Sequence, residues 1–261
     1  MRAIFAAALL ATLACNVGAQ SSIAVGKAKP LRKGVDALPM VAPEDTSAAN
    51  RANATLTRLN DRMIRQLKEC DADYLQSLKD LGAGAKGQRF VADDWTRTVE
   101  VTMAGPRYLS LLVTDEANCG GAHPNSGQMA LVFDMTTGAE LNWMRTIATQ
   151  AHASTYADTR LDGGTLVALV IPELAKRYIA AADADCKDAF GEQLSFLLWP
   201  DAKDGTLVAE PFDLPHVVQA CANPIGLSMA DARKLGFGED LLSMIEQAHG
   251  KELAKPQVSK N

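Results

Sequence analysis

Two runs of strand-forming residues, Arg107–Asp115 (RYLSLLVTD) and Gly127–Asp134 (GQMALVFD), constrain this chain more than any other feature. They read as long antiparallel partners, and such a pair commits the chain to a sheet with one face that must be covered. Val99–Met103 precedes them as a third strand, turned back at Ala104-Gly105-Pro106. Asp134-Met135-Thr136-Thr137-Gly138 follows as a tight reversal, with Asp opening the turn and Gly taking the left-handed position. Hairpin loops usually run about two to five residues, so the connection Glu116–Ser126 is long enough to need a reason. Its centre is Asn118-Cys119-Gly120-Gly121-Ala122-His123-Pro124-Asn125, backbone-shaping residues around one imidazole. Two readings stay open: a structural loop pinned by Cys119, or a contact surface for a partner.

The cover for the sheet is legible upstream. Ala52, Leu56, Leu59, Met63, Leu67, Cys70, Tyr74 and Leu78 recur at spacings of three and four, which predicts a helix from Ser47 to about Leu78 with one apolar stripe. Thr46 or Ser47 can cap its first amides. Gln20–Asp45, with three prolines and the basic cluster Lys27, Lys29, Arg32 and Lys33, reads as a linker, with Ala37–Val41 compatible with a short strand. Gly82-Ala83-Gly84-Ala85-Lys86-Gly87 has the spacing of a dinucleotide loop. It follows a helix and precedes a strand, the reverse of that context, so it is expected to be a connection.

After Leu141 the pattern predicts a short helix over Trp143–Ala153 and a helix over Thr165–Ala182 that Pro172 kinks or restarts. Leu194–Trp199 and Thr206–Pro211 form a hairpin, His216–Cys221 a further strand. Ser228-Met229-Ala230-Asp231 caps a short helix ending near Gly236, and Glu239–His249 is a last amphipathic helix before a disordered tail, Lys251–Asn261. The expected fold is α+β, an antiparallel sheet packed on a long N-terminal helix with further helices and strands behind it, one domain over residues 46–250.

The first nineteen residues read as an export signal: Arg2, the apolar run Ile4–Ala14, and the small-residue site Val17-Gly18-Ala19 before Gln20. A lipid anchor at Cys15 competes, since Ala14 precedes it, but Thr12 stands where an apolar residue is expected. No later stretch would span a bilayer. Removing residues 1–19 from 261 leaves 242, enough for one sizeable core. It also removes one basic residue, so 25 basic residues face 31 acidic ones, a charge of −6. That balance argues against nucleic acid and suits a basic protein partner. Four cysteines remain, Cys70, Cys119, Cys186 and Cys221, with no CxxC pair. In an exported chain they imply two disulfides in one of three connectivities, and Cys70–Cys119 with Cys186–Cys221 joins neighbouring segments.

The run YLSLLVTDEANCGGAHPNSGQMALVFDMTTGAEL, Tyr108–Leu141, resembles the core of the RsiV-like domain: a Tyr-containing strand, a Gly-Gly-Ala-His loop, and a strand ending in Asp with Thr-Gly soon after. That family includes the lysozyme-sensing extracytoplasmic part of an anti-sigma factor and a domain beside a peptidoglycan deacetylase. The resemblance implies a periplasmic domain that binds a cell-wall-lytic enzyme. It is good over Tyr108–Leu141, looser over the preceding helix and weak beyond.

Catalytic signatures are lacking. Gly226-Leu227-Ser228-Met229-Ala230 misses the second Gly of a nucleophile elbow, no HExxH or HxH occurs, and Asp183-Ala184-Asp185 lacks the rest of a calcium loop. Asp115-Glu116 and Asp93-Asp94 are acidic pairs that solvation explains. His123 can satisfy loop carbonyls, touch a partner, or act as base or ligand. His216 reads as a strand-end His. The expectation is a non-enzymatic periplasmic binding protein, an immunity protein or inhibitor with no cofactor or metal, its contacts on Asn118, Gly120, Gly121, His123, Pro124 and Asn125. Two other classes compete: an enzyme or accessory on envelope polysaccharide using His123 with Asp115 or Glu116, and a structural envelope protein.

Overall fold

The predicted stripe lies along a 34-residue helix, α1 (Ser47–Asp80), in the computed structural model. The structure describes residues 22–44, 46–80, 95–121, 124–159, 165–188, 190 and 194–254. The export signal with Cys15, the glycine-rich connection 82–87 and the chain beyond 254 lie outside these. Thr46 provides the cap, its Oγ1 accepting from the Ala49 amide at 3.0 Å. Ala52, Leu56, Leu59, Met63, Leu67 and Cys70 are buried, whereas Tyr74 and Leu78 are only half covered.

The stripe faces a four-stranded antiparallel sheet of β3 (Trp95–Ala104), β4 (Tyr108–Ala117), β5 (Asn125–Asp134) and β6 (Ala139–Glu140), in that order. The central hairpin is longer than its sequence pattern suggests. Pairing runs from Tyr108 opposite Asp134 to Ala117 opposite Asn125, so the loop shortens to residues 118–124. Directly opposed residues share a face, so Leu109–Phe133, Leu111–Leu131 and Val113–Met129 turn together toward the buried side. Thr114–Gln128 and Leu112–Ala130 take the other side. At the near end, Asp134 accepts the amide of Gly138 at 2.7 Å, with Gly138 at φ +71° as its turn requires.

Residues 22–44, expected as a linker, are folded against these layers instead. β1 (Ala24–Val25) pairs with β2 (Val41–Ala42), Val35 bridges Arg97 on β3, and Val35, Leu38 and Val41 are buried. A buried extended backbone must find hydrogen-bond partners. Two asparagines on α1 supply them: Asn60 bonds both the N–H and C=O of Leu38 at 2.8 and 3.1 Å, and Asn53 does so for Val41 at 2.8 and 3.0 Å. Seven helical residues advance about 10.5 Å and three extended ones about 10 Å, so the two carboxamides match amides three apart.

The C-terminal half builds a second antiparallel sheet in the order β11-β10-β9-β8-β7: β7 (Ser154–Thr159), β8 (Thr165–Val170), β9 (Ser195–Asp201), β10 (Thr206–Phe212) and β11 (Ile225–Leu227). Here the predicted helix over Thr165–Ala182 is corrected. TLVALV is a strand paired with Ser154–Thr159, and Pro172 starts α2 (Pro172–Ala181) at its first turn, where a missing amide costs nothing. Trp143–Ala153 is two short 3-10 turns, not one helix. His216–Cys221 is a 3-10 turn, not a strand. The edge of β10 is taken by β11, while the Tyr178 hydroxyl lies 2.9 Å from the Cys221 and Asn223 carbonyls and accepts the Asn223 amide at 3.0 Å. α3 (Ala184–Lys187) follows α2. α4 (Met229–Lys234) starts at Ser228, which accepts from the Asp231 amide, and α5 (Glu239–Leu253) runs past His249 into residues expected as tail.

Both disulfides, Cys70–Cys119 and Cys186–Cys221, join as the order of segments suggested. The two sheets meet where the Ala202 amide donates to the Thr102 carbonyl at 2.9 Å, and one apolar cluster runs through α1, both sheets and the C-terminal helices. The architecture is α+β.

Candidate functional site

The far end of the β4–β5 hairpin is built from the helix side. Ala117, the last residue of β4, is buried in a small apolar cluster with Val35, Met63, Leu67, Cys70 and Trp95. Two residues on, Cys119 is bonded to Cys70 with their Cα atoms 4.7 Å apart. Gly120 then lies flat on α1 at φ +86°, where a Cβ would sit 2.9 Å from the Tyr74 Cα and 2.5 Å from the Ser77 Oγ. Only glycine fits that approach. Asn118 folds its side chain back to accept the Gly120 amide at 3.2 Å. Asn118, Cys119 and Gly120 are half-buried, whereas Gly121, Pro124, Asn125 and Ser126 are exposed. Ala122 and His123 lie outside the described residues. The expected long free loop is thus a shorter one strapped to α1: Asn118 and Gly120 shape it, and Gly121, Pro124 and Asn125 face solvent.

Beneath the loop sits a buried ion pair that the sequence reading passed over. Arg97 and Asp115, opposite each other on β3 and β4, are 1% and 4% exposed. The guanidinium grips the carboxylate through Nε and Nη2 at 2.7 and 2.6 Å, and Trp95 Nε1 donates to the same carboxylate at 2.8 Å. Among the described residues Arg97 Nη1 has no hydrogen-bond partner. The signal was present in the sequence. Trp95, Arg97 and Val99 share one parity of β3, and Asp115 shares the inward parity of β4 with Val113. Asp115 is therefore unavailable to act as an acid or base with His123. Glu116, its neighbour, points to the other face and is exposed.

At the opposite end, Arg107 is held to Asp134 through Nε at 3.2 Å and Nη2 at 2.8 Å, with Nη1 3.6 Å from Asp240 and the guanidinium 5.0 Å over the Tyr108 ring. Burial works against the Asp134 charge. Hydrogen bonds from Arg107 and Thr136 outweigh it, and the carboxyl sits below its ordinary value. A shallow cleft of about 240 Å³ opens here between Arg107, Met135 and the first turns of α5.

A third polar contact lies between the sheets. Gln128 on β5 sets its carboxamide against the Glu210 carboxylate on β10, and its nitrogen is assigned to that side because both facing oxygens accept. Burial pushes the Glu210 carboxyl up to about 7. Among the described residues, no three of His, Cys, Asp and Glu gather as metal ligands would, and no helix is long and apolar enough to cross a membrane.

No protein-family model matches the chain, and no curated protein matches it.

Proposed function

We propose that this is an exported, periplasmic binding protein that grips and inhibits a cell-wall-lytic enzyme of the lysozyme kind, as an immunity protein or inhibitor. The observation that carries the reading is the anchored hairpin end. A disulfide to α1 and the Gly120 contact hold its base, while Gly121, Pro124, Asn125 and Ser126 stand exposed in sequence. A loop fixed before binding loses little conformational entropy on binding, which favours affinity. The resemblance of Tyr108–Leu141 to the RsiV-like domain supplies the class of partner. The acidic balance of the chain suits a basic enzyme by speeding encounter. Two disulfides fit an oxidising compartment.

The test uses the mature chain in calorimetric titrations with lysozyme-like enzymes and in a peptidoglycan-clearing assay. The expected result is binding with protection of peptidoglycan, weakened at least tenfold by Gly121→Arg or Pro124→Arg at unchanged melting temperature. Absence of both binding and protection overturns the reading. An enzyme acting through His123 and Asp115 is the competing class, and the Arg97 and Trp95 bonds to Asp115 weigh against it.

A further inference from the structure

The apolar stripe of α1 outruns the structure that buries it. Met63, Leu67 and Cys70 are buried with Trp95 and Ala117 in the cluster at the loop end. The stripe continues in register through Tyr74 and Leu78, both only half-buried, and Leu75 beside them is 44% exposed. Leu78 lies four residues from Tyr74 and three from Leu75, so the three side chains are neighbours on the helix surface. One exposed leucine is ordinary, but a contiguous apolar ridge needs a reason. The strapped loop adjoins this ridge. Cys119 is bonded to Cys70, Gly120 lies against Tyr74 and Ser77, and Gly121 follows in solvent. Ridge and loop therefore form one continuous surface.

The charge of α1 changes sign where the ridge begins. From Ser47 to Lys68 the helix carries Arg51, Arg58, Arg62, Arg65 and Lys68 against Asp61. From Glu69 to Asp80 it carries Glu69, Asp71, Asp73 and Asp80 against Lys79. The helix dipole gives no account of this order, since it favours acids at the start of a helix and bases at its end. Asp71 is answered by Arg32. Glu69, Asp73 and Asp80, at spacings of four and seven, share one exposed flank. Leu75 and Leu78 lie on the other flank, with Tyr74, Ser77 and the loop between them.

We propose that the end of α1 and the loop strapped to it form one docking face for a basic protein, the lytic enzyme of the proposed function, on which this inference rests. Leu75 and Leu78 supply the apolar contact, and Tyr74 joins them to the loop. Glu69, Asp73 and Asp80 pair with lysines or arginines of the enzyme across the other flank. Apolar and aromatic side chains beside a charged rim are the composition of a protein interface. The carboxylates speed encounter, and the ridge sets the lifetime of the complex. The binding surface is thus a helix end with a loop laid on it, not the loop alone.

The test measures association and dissociation of the whole mature chain with a c-type lysozyme at low and moderate salt. Leu75→Glu should weaken binding about tenfold, mainly through faster dissociation. Asp73→Lys with Asp80→Lys should slow association about tenfold and flatten its salt dependence. Two controls sit on the basic half of the same helix. Ile64, 37% exposed, lies on the flank of Leu75 about 16 Å along the axis, and Ile64→Glu should bind as the wild type does. Arg58→Glu with Arg65→Glu should also leave binding unchanged. Tightening there to match the loss at Asp73 and Asp80 would mean that net charge alone acts, and would overturn the face. Wild-type binding by Leu75→Glu and the lysine pair, with Gly121→Arg still weak, overturns the helix contribution and leaves the loop reading standing. Absence of wild-type binding removes both. A dimer of the chain alone that Leu75→Glu dissolves would give the face to a second copy and overturn the inference. Amide exchange in the wild-type complex needs no variant: residues 73–80 should gain protection and residues 58–65 should not, and the reverse overturns the face.

Discussion

The two ends of the β4–β5 hairpin are each braced by an Arg–Asp pair, and the pairs are not equivalent. At the loop end Arg97 and Asp115 are sealed from solvent and share their carboxylate with Trp95, which packs in one cluster with the disulfide-bonded Cys70. At the turn end the side chains of Arg107 and Asp134 are 33% and 17% exposed, and the neighbouring Asp240 is almost free in solvent. A sealed pair has cost its desolvation and is strongly destabilising to break, whereas a wet pair is screened and replaceable. The loop end is therefore the fixed end of the hairpin, and the turn end is the tolerant one.

The largest effect expected from this contrast is at Asp115. Asp115→Ala strands the Arg97 charge and the Trp95 N–H in the interior, for a loss of about 3–5 kcal/mol in urea unfolding. The double variant Arg97→Met with Asp115→Leu should recover most of that loss, since matched apolar groups replace a buried pair at little cost. A loss below about 1 kcal/mol for Asp115→Ala would show that water reaches the pair, and the contrast between the ends would fail.

Next in size is the strap. The Cys70–Cys119 and Cys186–Cys221 loops span 49 and 35 residues. Chain entropy predicts about 4 kcal/mol for either, so stability alone cannot tell them apart. Amide exchange can. Cys70→Ser with Cys119→Ser should release residues 117–121 to fast exchange, and Cys186→Ser with Cys221→Ser should leave them protected. Equal protection in both double variants would mean that packing, not the disulfide, holds the loop.

These two ends also show how far the sequence could be read. The turn at Asp134–Gly138 and the helix stripe depend on spacing within a few residues, and both are visible in the primary structure. The loop end depends on partners far apart in the chain. That β4 continues through Glu116 and Ala117 follows from Ala117 packing on Trp95, Val35 and α1, which local pattern does not contain. The same holds for residues 35–41, part of the stretch Gln20–Asp45 whose three prolines and basic cluster suggested a tether. Their burial rests on Asn53 and Asn60, polar residues inside an apolar stripe. Thr165–Val170 failed for another reason, because a short apolar run before Pro172 fits either period. Arg97 opposite Asp115 was legible by parity once β3 was extended back to Trp95.

Gly120→Ala should come below the disulfide. An L-residue at φ +86° costs about 1–2 kcal/mol, and the Tyr74 backbone leaves no room for the new methyl. A loss of about 2 kcal/mol by urea unfolding is expected, together with weaker lytic-enzyme binding if the loop is the contact. A neutral result would show that the loop lifts off α1 freely.

The smallest effect should be at Arg107. Its removal in Arg107→Ala exposes Asp134 to water that already reaches it, so the loss near neutral pH should stay under about 1 kcal/mol. The informative reading is in acid. Asp134 is held below its ordinary 3.8, so the pair's contribution is present above the unfolded pKa and disappears as pH falls through the folded one. The wild type should therefore shed a little stability below about pH 4, and Arg107→Ala should show a smaller decline, since the Thr136 bonds to Asp134 remain. Glu210 moves the other way, losing stability as pH rises toward 8. The two carboxyls on neighbouring sheets thus pull in opposite directions, Asp134 contributing above its ordinary 3.8 and Glu210 losing its contribution from about 4.5 upward. If Arg107→Ala cost as much as Asp115→Ala, both ends of the hairpin would be equally fixed, and burial would not be what sets them apart.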